Sequence, residues 1–398
     1  MIDQQPLRGI RVLDLTRVLA GPFCTMNLAD MGAEVIKIEM PGRGDDSRGF
    51  APTMPPGDSG YYYSVNRGKR SITLDLHAAG AVEIFLALTA KSDLVAENFS
   101  PGTMDRFGVG YDRLKAANPK IILCSISGFG QTGPMAQEPA YDIVAQALGG
   151  TMSITGEPGG APMRCGVSIG DLSGALYGTI AILAALRVRD RDGVGRHIDI
   201  ALLDCQVAML EDALARYSVS GKAPGRIGTR HPSITPFQRF RAADDYFVLG
   251  AGNEAIWKRM CGAIGRPELK DDPRFATNAD RTANHPALEA ILADHFASRP
   301  REHWLAALRA AEVPCAPIAN VREVSENPHL IARNMILRAA HESFGDLIVP
   351  GSPLKTAGDS ATPATRAPRL GEDTDSVLSE LLGYDSARIS ELRRKSII

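Results

Sequence analysis

Ile10-Arg11-Val12-Leu13-Asp14-Leu15, the turn Ala20-Gly21-Pro22, the helical pattern Phe23–Met31 and Ala33-Glu34-Val35-Ile36-Lys37-Ile38-Glu39 together decide the fold. They read strand, turn, helix, strand. Such a βαβ unit favours a parallel sheet with a right-handed crossover. The alternation continues downstream. Ser71–Leu76, Asp93–Glu97, Ile121–Ser127 and His197–Ala201 read as strands. Ala78–Lys91, Tyr111–Asn118, Tyr141–Leu148, Leu172–Arg189 and Leu202–Ser218 carry the helical apolar period. Residues 40–70, rich in Gly, Pro, Asp and Arg, read as a long irregular loop. Loops of that length are usually functional or disordered.

Near residue 220 the alternation stops. Residues 221–236 form a Gly/Pro/Arg/His linker, and Phe237–Gly252 reads as a hairpin turning at Ala243-Asp244-Asp245. Helices are expected at Glu254–Gly262, Pro286–Phe296 and Arg301–Ala311. After Pro328 come a helix, a strand at Leu347–Val349, a Pro/Thr/Arg loop and a last helix, Thr374–Leu382. The expected division is therefore 1–220 with 330–398, and 221–329.

Composition narrows the function. The chain has 398 residues, with 44 Lys+Arg against 46 Asp+Glu and a net charge of −2. A general nucleic-acid binder would usually be basic. One local basic pocket for a phosphorylated ligand remains compatible with that balance. The six cysteines form no C-x-x-C pair and no zinc spacing, so reduced thiols in a cytoplasmic protein are expected. The N-terminus carries no targeting pattern. The longest apolar run, near Leu176–Leu186, falls short of the roughly 20 residues of a membrane span. No membrane and no nucleic-acid partner is expected.

Four motifs carry chemistry. Gly128-Phe129-Gly130-Gln131-Thr132-Gly133 matches a dinucleotide fingerprint after a strand. Pro134 and Pro139 forbid the helix that should receive the pyrophosphate, so a pocket-walling loop is the better reading. Gly170-Asp171-Leu172-Ser173-Gly174 opens a long helix. Asp171 is an ordinary N-cap on one reading. On the other it is a carboxylate kept ionised at the positive helix end, open to substrate, and available as a nucleophile. Asn66-Arg67-Gly68-Lys69-Arg70 is a cationic turn, either a solvated loop or a phosphate site. Asn98-Phe99-Ser100-Pro101-Gly102 with Arg106 follows a strand end, where open α/β sheets bind ligands. Phe99 could stack a base or be a buried aromatic.

Taken in order, Leu13–Pro22, Gly32–Glu39, Asn66–Ile72, Glu97–Gly102 with Arg106, and Gly170-Asp171 resemble the class III coenzyme A transferases. That family includes formyl-CoA, carnitine and dicarboxylate CoA-transferases and the α-methylacyl-CoA racemases. The resemblance runs through Leu370-Gly371-Glu372-Asp373-Thr374, nearly the whole chain, and leans toward the dicarboxylate members.

The resemblance implies an α/β fold. A large Rossmann-like domain is built from both chain ends around a small α+β domain, and two ring-like subunits form an interlocked homodimer. It implies Asp171 as the nucleophile toward an acyl-CoA. Coenzyme A contacts would be Arg17, Val18, Asn66, Arg67, Gly68, Lys69, Asn98, Phe99, Ser100, Arg106 and Tyr141. No metal and no permanently bound cofactor is implied; the CoA thioester is a substrate, exchanged with a carboxylic acid such as succinate. Arg17, Arg164, Arg230 and His231 are candidates for a distal carboxylate. Leu19 stands where formyl-CoA members carry Gln, and residues 225–240 lack their Gly-rich loop, which argues against oxalate and formyl-CoA. Tyr141 replaces the racemase His, which removes one α-proton partner. A racemase and a non-catalytic CoA-binding protein stay open as alternatives.

Overall fold

The computed structural model describes residues 5–54, 58–341, 344–355 and 366–398. The start of the chain and residues 356–365 of the expected Pro/Thr/Arg loop lie outside those residues. The chain divides into two compact units. One comprises Met1–Thr151, Arg164–Leu214 and Asn327–Ile398; the other comprises Met152–Met163 and Ala215–Glu326.

The larger unit is built on six parallel strands: β1 (Arg11–Asp14), β2 (Glu34–Glu39), β3 (Arg70–Thr73), β4 (Leu94–Glu97), β5 (Ile122–Ser127) and β6 (His197–Ala201). Their order is β3-β2-β1-β4-β5-β6. That order reverses direction between β1 and β4, the switch point at which doubly wound sheets take ligands.

Both faces of this sheet are covered, so its strands bury apolar residues on both sides. Successive side chains point to opposite faces. Leu13, Ile36, Ile72, Val95 and Leu123 pack one way, against α3 (Ala81–Thr89) and the C-terminal helices Thr374–Leu382 and Ser386–Arg394. Val12, Val35, Leu94, Ile122 and Ile126 pack the other way, against α1 (Ala20–Asp30) and α5 (Ile169–Asp192). Among the described residues, α5 is the one helix long and apolar enough to cross a membrane, and half of its apolar window is buried.

Several boundaries differ from the sequence reading. The supposed loop 40–70 holds a helix, α2 (Gly60–Asn66), started by Ser59, whose Oγ accepts the Tyr61 N–H. Its buried Tyr62, Tyr63 and Val65 explain why it forms. Leu202–Ser218 is two helices, Leu202–Ala208 and Ala213–Ser220, separated around Glu211, which takes a positive φ of 56°. The final expected helix is followed by another, Ser386–Arg394, capped by Asp385. The strand at Leu347–Val349 belongs to an antiparallel hairpin, Ile336–His341 with Gly345–Pro350. After Gly128–Gly133 the next helix, α4 (Asp142–Leu148), opens only at Asp142. The Gln131 N–H donates to both carboxylate oxygens of Asp199.

The smaller unit has a three-stranded sheet in which Tyr246–Gly250 lies between Phe237–Arg241 and Cys315–Pro317. Its core gathers Trp257, Phe275, Phe296 and Trp304. Arg281 is buried among them, bonded to Glu254, the Thr235 carbonyl and the Phe275 carbonyl.

Candidate active site

Asp171 is the third residue of α5, not its cap. The helix begins after Ser168, whose side chain makes no capping bond. The free amides of the first turn go instead to Asp142 at the start of α4: its Oδ1 accepts the Gly170 N–H at 2.8 Å and the Asp171 N–H at 3.4 Å. Gln146 holds the other Asp142 oxygen at 2.7 Å and accepts the Cys165 N–H through its own carbonyl. Gly170 is needed for this approach, since a Cβ there would sit 2.9 Å from Asp142 Oδ1.

The Asp171 carboxylate has no hydrogen-bond partner among the described residues. Burial and the facing Asp142 push its pKa up to about 7. This corrects the expectation that the helix end keeps it fully ionised: Asp142 has taken the amides that would have stabilised its charge. Tyr61 of α2 lies in the same field. Burial, then Asp171, Asp45 and Asp142, push its phenol to about 12. Tyr61 was not anticipated as a site residue; the capped, aromatic run after Ser59 was its only signal.

At the β1/β4 switch point a cavity of about 350 Å³ opens. Arg17, Phe99 and Ser100 line it, together with Arg43, Asp45 and His77, which were not anticipated. Two turns meet there. The Arg17 N–H donates to Asn98 Oδ1 and Asn98 Nδ2 donates to the Arg17 carbonyl, both at 2.8 Å. The Arg17 guanidinium lies 5.3 Å from the Phe99 ring centre. Glu97, pushed up to about 7 by burial, accepts the Phe99 N–H at 2.7 Å and fixes the second turn. Val18 adjoins Arg17, and the exposed Arg106 donates to Thr103 on the cavity wall.

The turn Asn66–Lys69 is not the exposed cationic patch of the sequence reading. Arg67 pairs with Asp30 at 2.5 Å, and Lys69 pairs with Asp14 at 2.9 Å with both side chains fully buried. Asn66 Oδ1 accepts from Lys69, and the Gly68 amide donates to the Arg366 carbonyl. These cations neutralise internal carboxylates, so their charges do not face the cavity. Tyr141 precedes α4 and is 80% exposed. Arg164 reaches to 3.7 Å from Asp142 Oδ2, beside the helix start that carries Asp171. In the smaller unit, the His231 Nδ1 accepts the Ser233 N–H and the ring packs on Phe237; Arg230 lies close enough to His285 to help lower its pKa after burial.

This arrangement has close relatives. Residues 7–374 match the family described as CoA-transferase family III. An acetyl-CoA:oxalate CoA-transferase of Acetobacter aceti is 46% identical over 92% of this chain and 93% of its own. The succinyl-CoA:glutarate CoA-transferase of Homo sapiens is 41% identical over 100% of this chain and 91% of its own. A crystal structure of a CAIB/BAIF family protein from Brucella suis superposes with a TM-score of 0.84 at 39% identity, covering 95% of this chain and 100% of that one. A carboxylate at the start of a half-buried helix, a cavity at the sheet's switch point and these matches agree: the chain belongs to CoA-transferase family III.

Proposed function

We propose that the protein moves coenzyme A from a dicarboxylyl-CoA such as succinyl-CoA to a second carboxylic acid, with Asp171 as covalent nucleophile. The observation that carries this reading is the Asp171 carboxylate, partly buried and unbonded among the described residues, at a helix start whose amides Asp142 has claimed. A carboxylate of raised basicity is a stronger nucleophile once ionised.

An Asp171 oxygen attacks the thioester carbonyl; the C–S bond breaks and CoA thiolate leaves. The product is an aspartyl–acyl anhydride. Thiolate then attacks the aspartyl carbonyl, the anhydride C–O bond breaks, and the donor acid departs. The acceptor carboxylate attacks the aspartyl-CoA thioester, expelling thiolate and forming a second anhydride. Thiolate attack on its acyl carbonyl releases the new acyl-CoA and restores Asp171. No net proton, electron or metal is needed, and one hard exchange is divided into easier ones.

CoA would lie over Arg17, Val18 and Asn98–Ser100, with Arg106 and Arg43 at the cavity rim. Arg164 suits the distal carboxylate of a dicarboxylic acid. The relatives named for glutarate and oxalate support that acid class; the oxalate name also weakens the expectation against short diacids. The interlocked homodimer belongs to this reading. Exposed Leu176, Tyr177 and Ile180 on α5 supply apolar surface for a second copy. Six free thiols suit a cytoplasmic setting.

Succinyl-CoA with hydroxylamine should leave a hydroxamate on Asp171, read by peptide mass spectrometry. A hydroxamate on another residue, or none across succinyl-, glutaryl- and malonyl-CoA donors, overturns the assignment.

A further inference from the structure

Val18 has a φ of +67°, although it is β-branched. A branched side chain in this left-handed region is a genuine outlier, held only when its surroundings over-determine it. Here the surroundings are identifiable. The Val18 N–H donates to both carboxylate oxygens of Asp45, at 3.1 and 3.3 Å. Asp45 pairs with Lys37 at 2.9 Å, both side chains wholly buried. The Lys37 ammonium also donates to the Thr16 carbonyl at 2.7 Å. Thr16 is fastened from the other side by Asp14, which accepts both its N–H and its hydroxyl. Ser47 completes the holding of Asp45 by donating its N–H and hydroxyl to Oδ1. The strained residue thus sits between Thr16 and Arg17, bound to the sheet, and α1, which begins at Ala20.

What the conformation of Val18 sets is the course of the 15–19 turn, which supplies Leu15, Thr16 and Arg17 to the cavity wall. Asp45 and Lys37 line the same wall. We propose that Asp45 is a positioning residue: braced by Lys37, its carboxylate clamps Val18 in the left-handed conformation and so keeps the turn after β1 in the shape that receives coenzyme A. The proposal rests on the placement of CoA at this switch point. The pair is a clamp of defined chemistry, because Asp45 must offer an acceptor to Val18 while Lys37 removes the burden of a lone buried charge.

Glycine separates a clamp from a merely structural pair. It adopts φ near +67° without steric strain, so a turn with Val18→Gly no longer needs the clamp. Removing Asp45 alone would strand Lys37 and endanger folding, so the test uses Lys37→Met throughout. Three full-length variants are compared with wild type by calorimetric titration with CoA and by acyl-CoA kinetics. Lys37→Met/Asp45→Leu should bind CoA at least tenfold more weakly than wild type, with the loss in KM rather than kcat. Lys37→Met/Asp45→Asn, whose amide oxygen still accepts the Val18 N–H, should bind at least fivefold tighter than the Leu variant. Adding Val18→Gly to the Leu variant should also recover at least fivefold. A triple variant no tighter than Lys37→Met/Asp45→Leu overturns the clamp, as does an unaltered CoA affinity in that double variant.

Hydrogen exchange on wild type separates the two layers of the argument. CoA should protect the amides of 16–19 and 98–100. Protection without glycine recovery removes the clamp and leaves the CoA placement standing. No protection removes the placement and the clamp with it.

Discussion

Asp142 Oδ1 accepts the Asp171 N–H at 3.4 Å and the neighbouring Gly170 N–H at 2.8 Å, so one carboxylate caps the helix that carries another. The cap comes from a different helix, 29 residues away in sequence from the residue it serves. The division of labour is physical. Asp142 is stabilised by amides and by Gln146, and Asp171 is left with burial and a like charge. Asp171→Asn keeps the shape and removes the nucleophile. We expect transfer to fall at least 1,000-fold while CoA affinity stays within threefold, measured by steady-state assay and titration. Near-normal turnover in this variant would falsify the nucleophile assignment.

The raised pKa of Asp171 has a consequence for stability. Its folded value of about 7 lies above the 3.8 of an ordinary aspartate, so between those values the folded protein binds more protons than the unfolded chain. Stability contributed through this group is therefore present at low pH and lost as pH rises toward 7, with a slope of at most about 1.4 kcal/mol per pH unit. Asp171→Asn should flatten the fall between pH 5 and 7 in denaturant titrations. An identical slope in wild type and variant would show that Asp171 does not titrate in that window.

Asp142→Asn separates capping from charge. The amide oxygen can still accept the two N–H groups, but the like charge is gone. The acid limb of single-turnover acyl transfer should move to lower pH than in wild type. A limb that stays in place would mean burial alone, the larger cause, sets the value.

How much of this was visible beforehand follows from where the partners lie. The sheet was legible because Val12/Leu13, Val35/Ile36 and Leu94/Val95 each supply one residue to each buried face. Asp171 was legible because glycine and serine surround it at a helix start. The role of Arg67 and Lys69 was not, since their carboxylates lie 37 and 55 residues away. A turn of local cations looks the same whether it faces phosphate or the core. Arg43 and His77 were illegible for a related reason: the cavity collects the ends of several strands, and none of them announces its neighbours.

The smaller unit offers a separate test of packing. Arg281 is fully buried over Trp257, 4.8 Å from the ring centre, and its guanidinium meets Glu254 and two backbone carbonyls. Arg281→Ala removes the stacked cation and leaves those carbonyls without donors. A loss of about 2–4 kcal/mol is expected by chemical denaturation. Glu254→Gln should lose about 1 kcal/mol or less, because that side chain is 45% exposed and water can replace it. Equal losses would mean the ion pair, not the cation's burial, holds this part of the core.

Arg164 is the residue on which the dicarboxylate reading can be cut most finely. Its guanidinium is 3.7 Å from Asp142 Oδ2 and 3.4 Å from Ser168 Oγ, and its side chain is 43% exposed. It is therefore anchored beside the start of α5 without being consumed by a close pair. A planar guanidinium binds a carboxylate through two parallel N–H bonds, which a lysine ammonium cannot reproduce. Arg164→Lys should raise KM for a dicarboxylic acceptor about tenfold and move KM for a monocarboxylic acid of equal length less than twofold. The comparison of two acids matters because Arg164 also touches Asp142, and any disturbance passed through that contact would affect both acceptors alike. Equal shifts would assign Arg164 to support of Asp142 and return the distal-carboxylate contact to Arg17, Arg230 or His231.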